Sequence, residues 1–313
     1  MRKLKAFMVV SRWEYMPAAI DEVGIPVLLA LNYVHFSIEF LLLILAGLIV
    51  WWGGHYIGSH INCLSDYEVD QMYKSYLSDA VDVIGKRNLK IIIAVEIILI
   101  TLFVVFLTFF LGRSYLLLFW LVGVIFAFAY SIEPLRFKGR GLLNPFTLDI
   151  ILYLCPMFFI YHLLCREFYY FSTVVILIFA LLRYTEFFID EIIDYEEDKI
   201  MGIKNPCALY GRFKVTLAAT IIHVVASLSM VWWFVSAYPP QKVISYMLYG
   251  IALLCFIGIA GWFIRTVVDS YQFENYHQVE EKVVKRLKNK AITAISLVTT
   301  GIGVICLAIT ALV

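Results

Sequence analysis

The chain has 313 residues, of which 62% are hydrophobic and only 16% charged, with a formal net charge of +1. Soluble domains are about 45–50% apolar and about 25% charged, so this composition excludes a soluble globular protein and predicts an integral membrane protein. The six cysteines form no CxxC pair, and neither a disulfide framework nor a zinc site is expected. The basic N-terminus lacks the pattern of a cleaved signal peptide, so no cleaved targeting segment is expected.

Apolar runs long enough to cross a bilayer, about 17–25 residues each, recur along the whole chain and predict one all-α, polytopic membrane domain over residues 1–313. Charged breaks divide these runs into nine predicted transmembrane helices. We expect them to form one bundle around a cavity that opens sideways and toward the cytoplasm. In chain order the predicted helices cover residues 17–35, 38–62, 90–111, 114–131, 146–164, 169–190, 213–236, 243–267 and 291–312.

The connections between the predicted helices alternate between short turns and long polar loops. Most lysines and arginines lie in the N-terminal segment and the long loops, whereas the opposite side carries only Arg113, Arg166 and Lys242. By the positive-inside rule, the N-terminus and long loops are predicted to lie on the cytoplasmic side of the cell membrane and the C-terminus outside. Functional residues are expected on the side with the long loops.

Two rows of acidic residues follow alternate predicted helices on that side. The first row lies in NCLSDYEVD, residues 62–70, and the second in EIIDYEED, residues 191–198. Spacings of three or four residues place the members of each row on one face of a helix. The rows consist of Asn62, Asp66 and Asp70, and of Glu191, Asp194 and Asp198.

Carboxylates concentrated at the membrane repel one another and are costly to desolvate, so the two rows imply a bound cation. Mg²⁺ prefers oxygen ligands and commonly bridges carboxylates to phosphate oxygens. The rows therefore predict a Mg²⁺-diphosphate site at the membrane surface. The alternative, that the acids only solvate helix ends, is disfavoured because two such rows occur on the same side.

The sequence resembles the UbiA superfamily of intramembrane prenyltransferases. The two rows are similar to its aspartate-rich motifs, NDxxDxxxD and DxxDxxxD. YSIEPLRFKGRG (residues 130–141) resembles its YSxPPLRxK segment, and GIKNPCALYG (residues 202–211) resembles its GIKTLPxxxG run. Cys63 departs from the first motif, where the family has a second acid, and Glu191 replaces the leading aspartate of the second.

The resemblance implies Mg²⁺-dependent transfer of a prenyl group from an allylic prenyl diphosphate to a lipophilic acceptor, aromatic or isoprenoid, within the lipid bilayer and without a nucleic-acid partner. The implied metal ligands are Asp66, Asp70, Glu191, Asp194 and Asp198. The implied diphosphate-binding residues are Asn62, Arg136, Lys138 and Lys204. The implied catalytic residues are Asp66, Asp194 and Tyr130.

Two further positions carry expectations. Cys63 is a weak metal ligand at neutral pH, so replacing it by Asp is expected either to lower the Mg²⁺ requirement or to disturb the donor site. Asp149 follows Pro145 by one turn within the fifth predicted helix. An acid inside a membrane helix suggests a function, and the role of Asp149 is open at this point.

Two other functions fit parts of the pattern. A terpene cyclase of the same superfamily would use the same diphosphate site without an external acceptor, and the motifs do not distinguish cyclisation from transfer. A cation transporter would place its intramembrane acids near the bilayer midplane on broken helices. The rows instead lie at helix ends beside basic loops, which favours an enzyme.

Overall fold

The computed structural model describes residues 2–193, 195–200, 202–276 and 290–313, and these residues form helices without a β-strand. Asp194, a predicted metal ligand and catalytic residue, lies outside the described residues. In chain order the helices are α1 (Lys3–Val10), α2 (Ala19–Glu22), α3 (Gly24–Ala30), α4 (Ile38–Ser65), α5 (Tyr67–Tyr73), α6 (Ser75–Ile84), α7 (Lys86–Leu111), α8 (Tyr115–Ser131), α9 (Leu143–Asp149), α10 (Cys155–Leu164), α11 (Tyr170–Ile193), α12 (Tyr195–Ile200), α13 (Pro206–Tyr210), α14 (Arg212–Ala237), α15 (Val243–Tyr276) and α16 (Lys290–Thr310).

Among the described residues, six helices are long and apolar enough to cross a membrane, and two shorter apolar helices accompany them. All the predicted helices except the first have a counterpart whose ends match within a few residues, apart from the longer α15. The six long spans are Ile38–Ser65, Lys86–Leu111, Leu143–Leu164, Tyr170–Ile189, Arg212–Ala237 and Val243–Gln272; the shorter helices are Tyr115–Ser131 and Val298–Thr310.

The first predicted helix, residues 17–35, is not one continuous span. A 3-10 helix, Trp13–Ala18, is followed by the short helices α2 and α3. Proline lacks a backbone N–H, so Pro17 and Pro26 each remove one donor from the hydrogen-bond ladder of this segment. The predicted count of nine spanning helices is therefore not confirmed.

The span Leu143–Leu164 contains a π-helical turn, Ile150–Leu154, between α9 and α10. Pro156 lies in the first turn of α10. Because the proline ring collides with the carbonyl group four residues earlier and supplies no N–H, a wider turn ahead of it relieves the clash. The sequence predicted a regular helix here, and the structure replaces it with a local widening directly after Asp149.

The helices pack as a continuous bundle. Helix α4 contacts α7, α8 and α10, while α14 contacts α11 and α15, and α15 contacts α16. Helix α3 packs against both α10 and α16, so the broken first segment connects these two helices. The loop between α8 and α9 and the loop between α12 and α13 lie at the same end as the acid rows, which positions them to complete a site.

A buried ion-pair network fixes the broken segment. Arg183 on α11 is 2% exposed and forms ion pairs with Asp21 of α2 and with Glu186, the latter at 2.5 Å between Nη1 and Oε2. Thr300 of α16 donates a hydrogen bond to Glu186 Oε1 at 2.6 Å. Buried charges are tolerated only when paired and hydrogen-bonded, so this network links α2, α11 and α16.

Candidate functional site

The first acid row lies where α4 gives way to α5. Asp66 separates the two helices, yet the backbone N–H groups of Asp66, Asp70 and Lys74 each donate to the carbonyl group four residues earlier, at 2.8–2.9 Å. Because this ladder continues through the junction, Asn62, Asp66 and Asp70 stay on one face, as predicted from their spacing. Asp66 is 3% exposed and Asp70 is 4% exposed, so both carboxyl groups are buried.

The loop after α8 brings two cations to this row. Lys138 Nζ lies 2.5 Å from Asp66 Oδ2, and Arg136 Nη2 lies 3.7 Å from Asp66 Oδ1. Arg136 has φ = 30°, a left-handed conformation that is uncommon outside glycine and that often marks a functional constraint. The structure therefore brings together three of the predicted site residues.

Two asparagines hold the second row. Asn144 of α9 donates a hydrogen bond to Glu191 Oε1 on α11. Asn205, which is fully buried, donates to Asp198 Oδ2 at 2.8 Å and to the Glu191 carbonyl at 3.3 Å, and its own side-chain oxygen caps α13. Because a buried carboxylate needs hydrogen-bond donors, these amides fix the orientation of Glu191 and Asp198.

Backbone contacts tie the two loops together. The Gly141 N–H donates to the Lys204 carbonyl at 2.6 Å, and Arg140 and Lys204 form an isolated parallel bridge. Gly141 has φ = +60°, and a Cβ atom there would lie 2.7 Å from Leu209 Cδ1. A side chain at this position would be both strained and obstructed. The loop after α8 thus contacts Asp66 of the first acid row through Lys138. Through Gly141 it contacts Lys204, in the loop that follows the second acid row.

The residues present fit a hard cation. Asn62 Oδ1, Asp66 Oδ1 and Asp70 Oδ2 are buried and have no hydrogen-bond partner within the described ranges, and such oxygens are suitable ligands for Mg²⁺. Burial, followed by the neighbouring Asp66 carboxylate, raises the pKa of Asp70 to about 6. A divalent cation would relieve that repulsion. The part of the chain that the structure describes, which omits Asp194, holds no group of three or more His, Cys, Asp or Glu residues arranged for metal binding.

Cys63 packs against the N-terminal segment. It is fully buried, and its Sγ donates to the Val10 carbonyl at 3.6 Å, beside the Arg12 side chain. Arg12 also interacts electrostatically with Asp70 and has φ = 46°. Sequence reasoning counted Arg12 only among the basic residues of the N-terminal segment, whereas the structure brings its side chain beside Cys63.

The remaining predicted residues have less direct placements. Tyr130 is half-buried near the end of α8, and Lys204 is exposed and contributes its backbone carbonyl to the loop contact. Asn144 and Asn205 are site residues that sequence reasoning missed. Asn205 lies within the quoted GIKNPCALYG stretch, which was a usable signal, whereas nothing in the sequence alone singled out Asn144.

An apolar groove leads away from the first row between α4, α7 and α8. Its volume is about 530 Å³. Apolar side chains such as Ile61, Ile97 and Phe128 line it, and the charged residues Lys90, Glu133 and Arg136 also contribute to its wall. Because Arg136 also contacts Asp66, the groove connects an apolar surface with the charged site, an arrangement suited to an amphipathic molecule with a charged head.

Comparison with solved structures shows the same fold. The chain is similar to digeranylgeranylglyceryl phosphate synthase (20% identity, TM-score 0.64, covering 97% of this chain and 99% of that one). It is also similar to a UbiA homologue from Archaeoglobus fulgidus bound to GPP and Mg²⁺ (16%, 0.60, covering 96% and 99%) and to an apo UbiA homologue from Aeropyrum pernix K1 (16%, 0.59, covering 94% and 99%).

Sequence comparison gives the family. No curated protein matches the chain. The model of the UbiA prenyltransferase family matches residues 23–277, a range that includes both acid rows and both connecting loops. The chain therefore belongs to the UbiA prenyltransferase family.

Proposed function

We propose that this protein is a Mg²⁺-dependent prenyltransferase that moves a prenyl group from an allylic prenyl diphosphate to a lipophilic acceptor and releases diphosphate. The observation that carries the proposal is the position of the loop after α8. It contacts Asp66 through Lys138, and its Gly141 N–H donates to Lys204 in the loop that follows the second acid row. UbiA homologues bound to GPP or DMAPP with Mg²⁺ support the class of donor.

Carboxylates of both acid rows would hold the metal. When bound, Mg²⁺ would neutralise the diphosphate and stabilise it as a leaving group. The proposed metal ligands are Asp66, Asp70, Glu191, Asp194 and Asp198.

The basic loop would bind the donor. Lys138 and Arg136 have their charged groups beside Asp66, so small side-chain movements would let them contact phosphate oxygens. Charge-assisted hydrogen bonds of this kind are the strong ones. Asn62 and Lys204 would add further donors, and Tyr130 would present its ring to the allylic cation that forms when the diphosphate leaves.

The groove between α4, α7 and α8 supports access from the bilayer, because it joins apolar surface to the Arg136 end of the site. A prenyl chain buried in apolar surroundings is also protected from water, which would otherwise capture the cation. We place this end of the bundle at the cytoplasmic face of the cell membrane, following the distribution of lysines and arginines.

Products and metal dependence test the proposal. The purified protein is incubated with DMAPP, GPP or longer prenyl diphosphates, with and without acceptors, and products are identified by mass spectrometry. We expect acceptor-dependent products that disappear on chelation and return with Mg²⁺. Cyclised hydrocarbons formed without acceptor would instead indicate the terpene cyclase, and turnover that survives chelation would contradict the metal site.

A matched pair of variants tests the site itself. Asp66→Asn removes a buried carboxylate of the first row, whereas Asp79→Asn removes an exposed carboxylate on nearby α6. We expect the first to lose activity by about 100-fold or more, a range typical of removing preorganised electrostatic groups, and the second to retain it. Equal activities would place the site elsewhere.

A further inference from the structure

Asp149 is a buried carboxyl group within a spanning segment that the site described above does not use. It is the last residue of α9, directly before the π turn, and is 6% exposed. Its Oδ1 atom is buried and has no hydrogen-bond partner among the residues that the structure describes. Single π turns inside helices occur frequently at functional sites.

Asp149 lies on the membrane side of the second acid row. On the same helix, Asn144 contacts Glu191, and Asp149 follows five residues later, about 7–8 Å further along at 1.5 Å per residue. Tyr184 precedes Glu191 by seven residues on α11 and shares its face, about 10 Å deeper. Helices α9 and α11 pack against each other, and Asp149 interacts electrostatically with Tyr184, so both residues lie deeper in the bundle than Glu191.

Phe188 adds a second aromatic ring beside Tyr184. The rings of Tyr184 and Phe188 are in T-shaped contact, with centroids 5.0 Å apart. A donor that enters through the groove between α4, α7 and α8 would have its diphosphate at the acid rows, and its allylic carbon, which is bonded directly to the diphosphate, would lie just beneath them, on the side of Asp149 and Tyr184. Aromatic faces attract cations, so the carbocation and its nucleophile would meet beside Asp149.

A lone buried carboxyl group is expensive unless a partner satisfies it. The fold offers Asp149 Oδ1 no donor from the described residues, in contrast to Glu191 and Asp198, which each accept from a buried amide. A substrate hydroxyl group would supply the missing donor. The hydroxyl group would also carry a proton that the carboxylate could remove. An apolar or fully substituted acceptor would carry no such proton.

We propose that Asp149 binds the hydroxyl group of a lipophilic alcohol or phenol acceptor and takes up its proton, a role that rests on the proposed prenyl transfer. The bond between the allylic carbon and the diphosphate oxygen breaks, and its electron pair leaves with the diphosphate. An acceptor oxygen lone pair forms the new C–O bond. The acceptor O–H bond breaks, and its proton moves to the Asp149 carboxylate. The products are an ether and diphosphate, and the proton then passes to the departing diphosphate.

The test separates donor cleavage from transfer. The full chain, purified in detergent, is given GPP and Mg²⁺ with hexadecylglycerol or nonylphenol, or with their O-methyl ethers, which lack the proton. Diphosphate release and ether formation are measured for wild type, Asp149→Asn, Asp149→Leu and Asp149→Glu. Thr147→Val, which removes another fully buried polar group from α9, is the matched control. Melting temperatures verify that each variant is folded, and neutral replacements of a lone buried carboxyl group should not lower them.

We expect wild type and Thr147→Val to form ethers with at least one hydroxyl acceptor and with neither O-methyl analogue. Asp149→Asn and Asp149→Leu should still release diphosphate but lose ether formation by about 100-fold or more, as is typical when a general base is removed, and Asp149→Glu should recover part of it. Wild-type ether formation in Asp149→Asn, or equal loss of cleavage and transfer, would overturn this role alone. No diphosphate release by wild type would overturn the proposed function as well.

Discussion

Removal of Arg183 tests whether the buried ion-pair network holds the broken first segment in the bundle. Arg183→Met keeps much of the side-chain volume but leaves Asp21 and Glu186 without their cation, and all three side chains are less than one-tenth exposed. Removing one partner of a buried ion pair costs about 3–5 kcal/mol. For a chain of this size we expect the Tm to fall by about 10 °C.

The matched control is Arg87→Met in the first turn of α7. Arg87 is exposed. Substitutions at exposed positions away from buried networks usually change stability by about 0.5 kcal/mol or less, so this variant should melt close to wild type. Thermal unfolding of the detergent-solubilised proteins, followed by tryptophan fluorescence, measures both.

A compensated variant isolates the cause. Combining Arg183→Met with Asp21→Asn and Glu186→Gln removes the uncompensated charges and should recover most of the lost stability, because neutral replacement of a whole buried ion pair is often nearly free of cost. If Arg183→Met melts within about 2 °C of Arg87→Met, where a fall of about 10 °C is expected, the network does not stabilise the fold and the reasoning is refuted.

Three further changes probe the site. Lys138→Met should raise the donor KM about 10-fold or more, in line with the loss of a charge-assisted hydrogen bond, while Lys138→Arg should retain most of the affinity; steady-state kinetics with GPP measure both. Cys63→Asp should leave the Mg²⁺ concentration for half-maximal activity unchanged, because the new carboxylate would pair with Arg12; a clear fall in a Mg²⁺ titration would put Cys63 in the metal site. Gly141→Ala should cost about 1–2 kcal/mol of stability because of its left-handed backbone, whereas Gly139→Ala, with open space around its Cβ position, should not; equal melting temperatures would contradict the argument.

The sequence predicted most of the bundle because a bilayer imposes a simple rule. A helix that crosses about 30 Å of hydrocarbon must be long and apolar, and that pattern is visible in the residues themselves. The broken first segment was predicted as one helix because its composition is equally apolar. Only the structure shows that Asp21 points to Arg183, a partner 162 positions away, so that the segment is held by charge as well as by its apolar surface.

The site follows the same division between local and distant information. The positions of Asp66 and Asp70 on one helix face follow from local spacing, so they were predictable. The contacts of Asn144 with Glu191 and of Arg12 with Cys63 join residues far apart in sequence. Spacing carries no information about such pairs. Cys63 illustrates the consequence, since the sequence left open whether this position affects metal binding or the donor site, and the structure shows its Sγ in contact with the N-terminal segment.

The ion pair between Lys138 and Asp66 suggests how the site tolerates its acids before substrate binds. Asp66 Oδ2 is engaged by the lysine, while the buried Oδ1 has no hydrogen-bond partner among the described residues and only a longer ion-pair contact with Arg136. An incoming Mg²⁺-diphosphate complex carries both a cation for the carboxylates and anionic oxygens for the loop. Asp66 would exchange the Lys138 cation for Mg²⁺, and Lys138 would exchange the Asp66 carboxylate for a phosphate oxygen. The charge in the buried site would then stay balanced through binding, which is the condition for keeping carboxylates at the edge of a membrane.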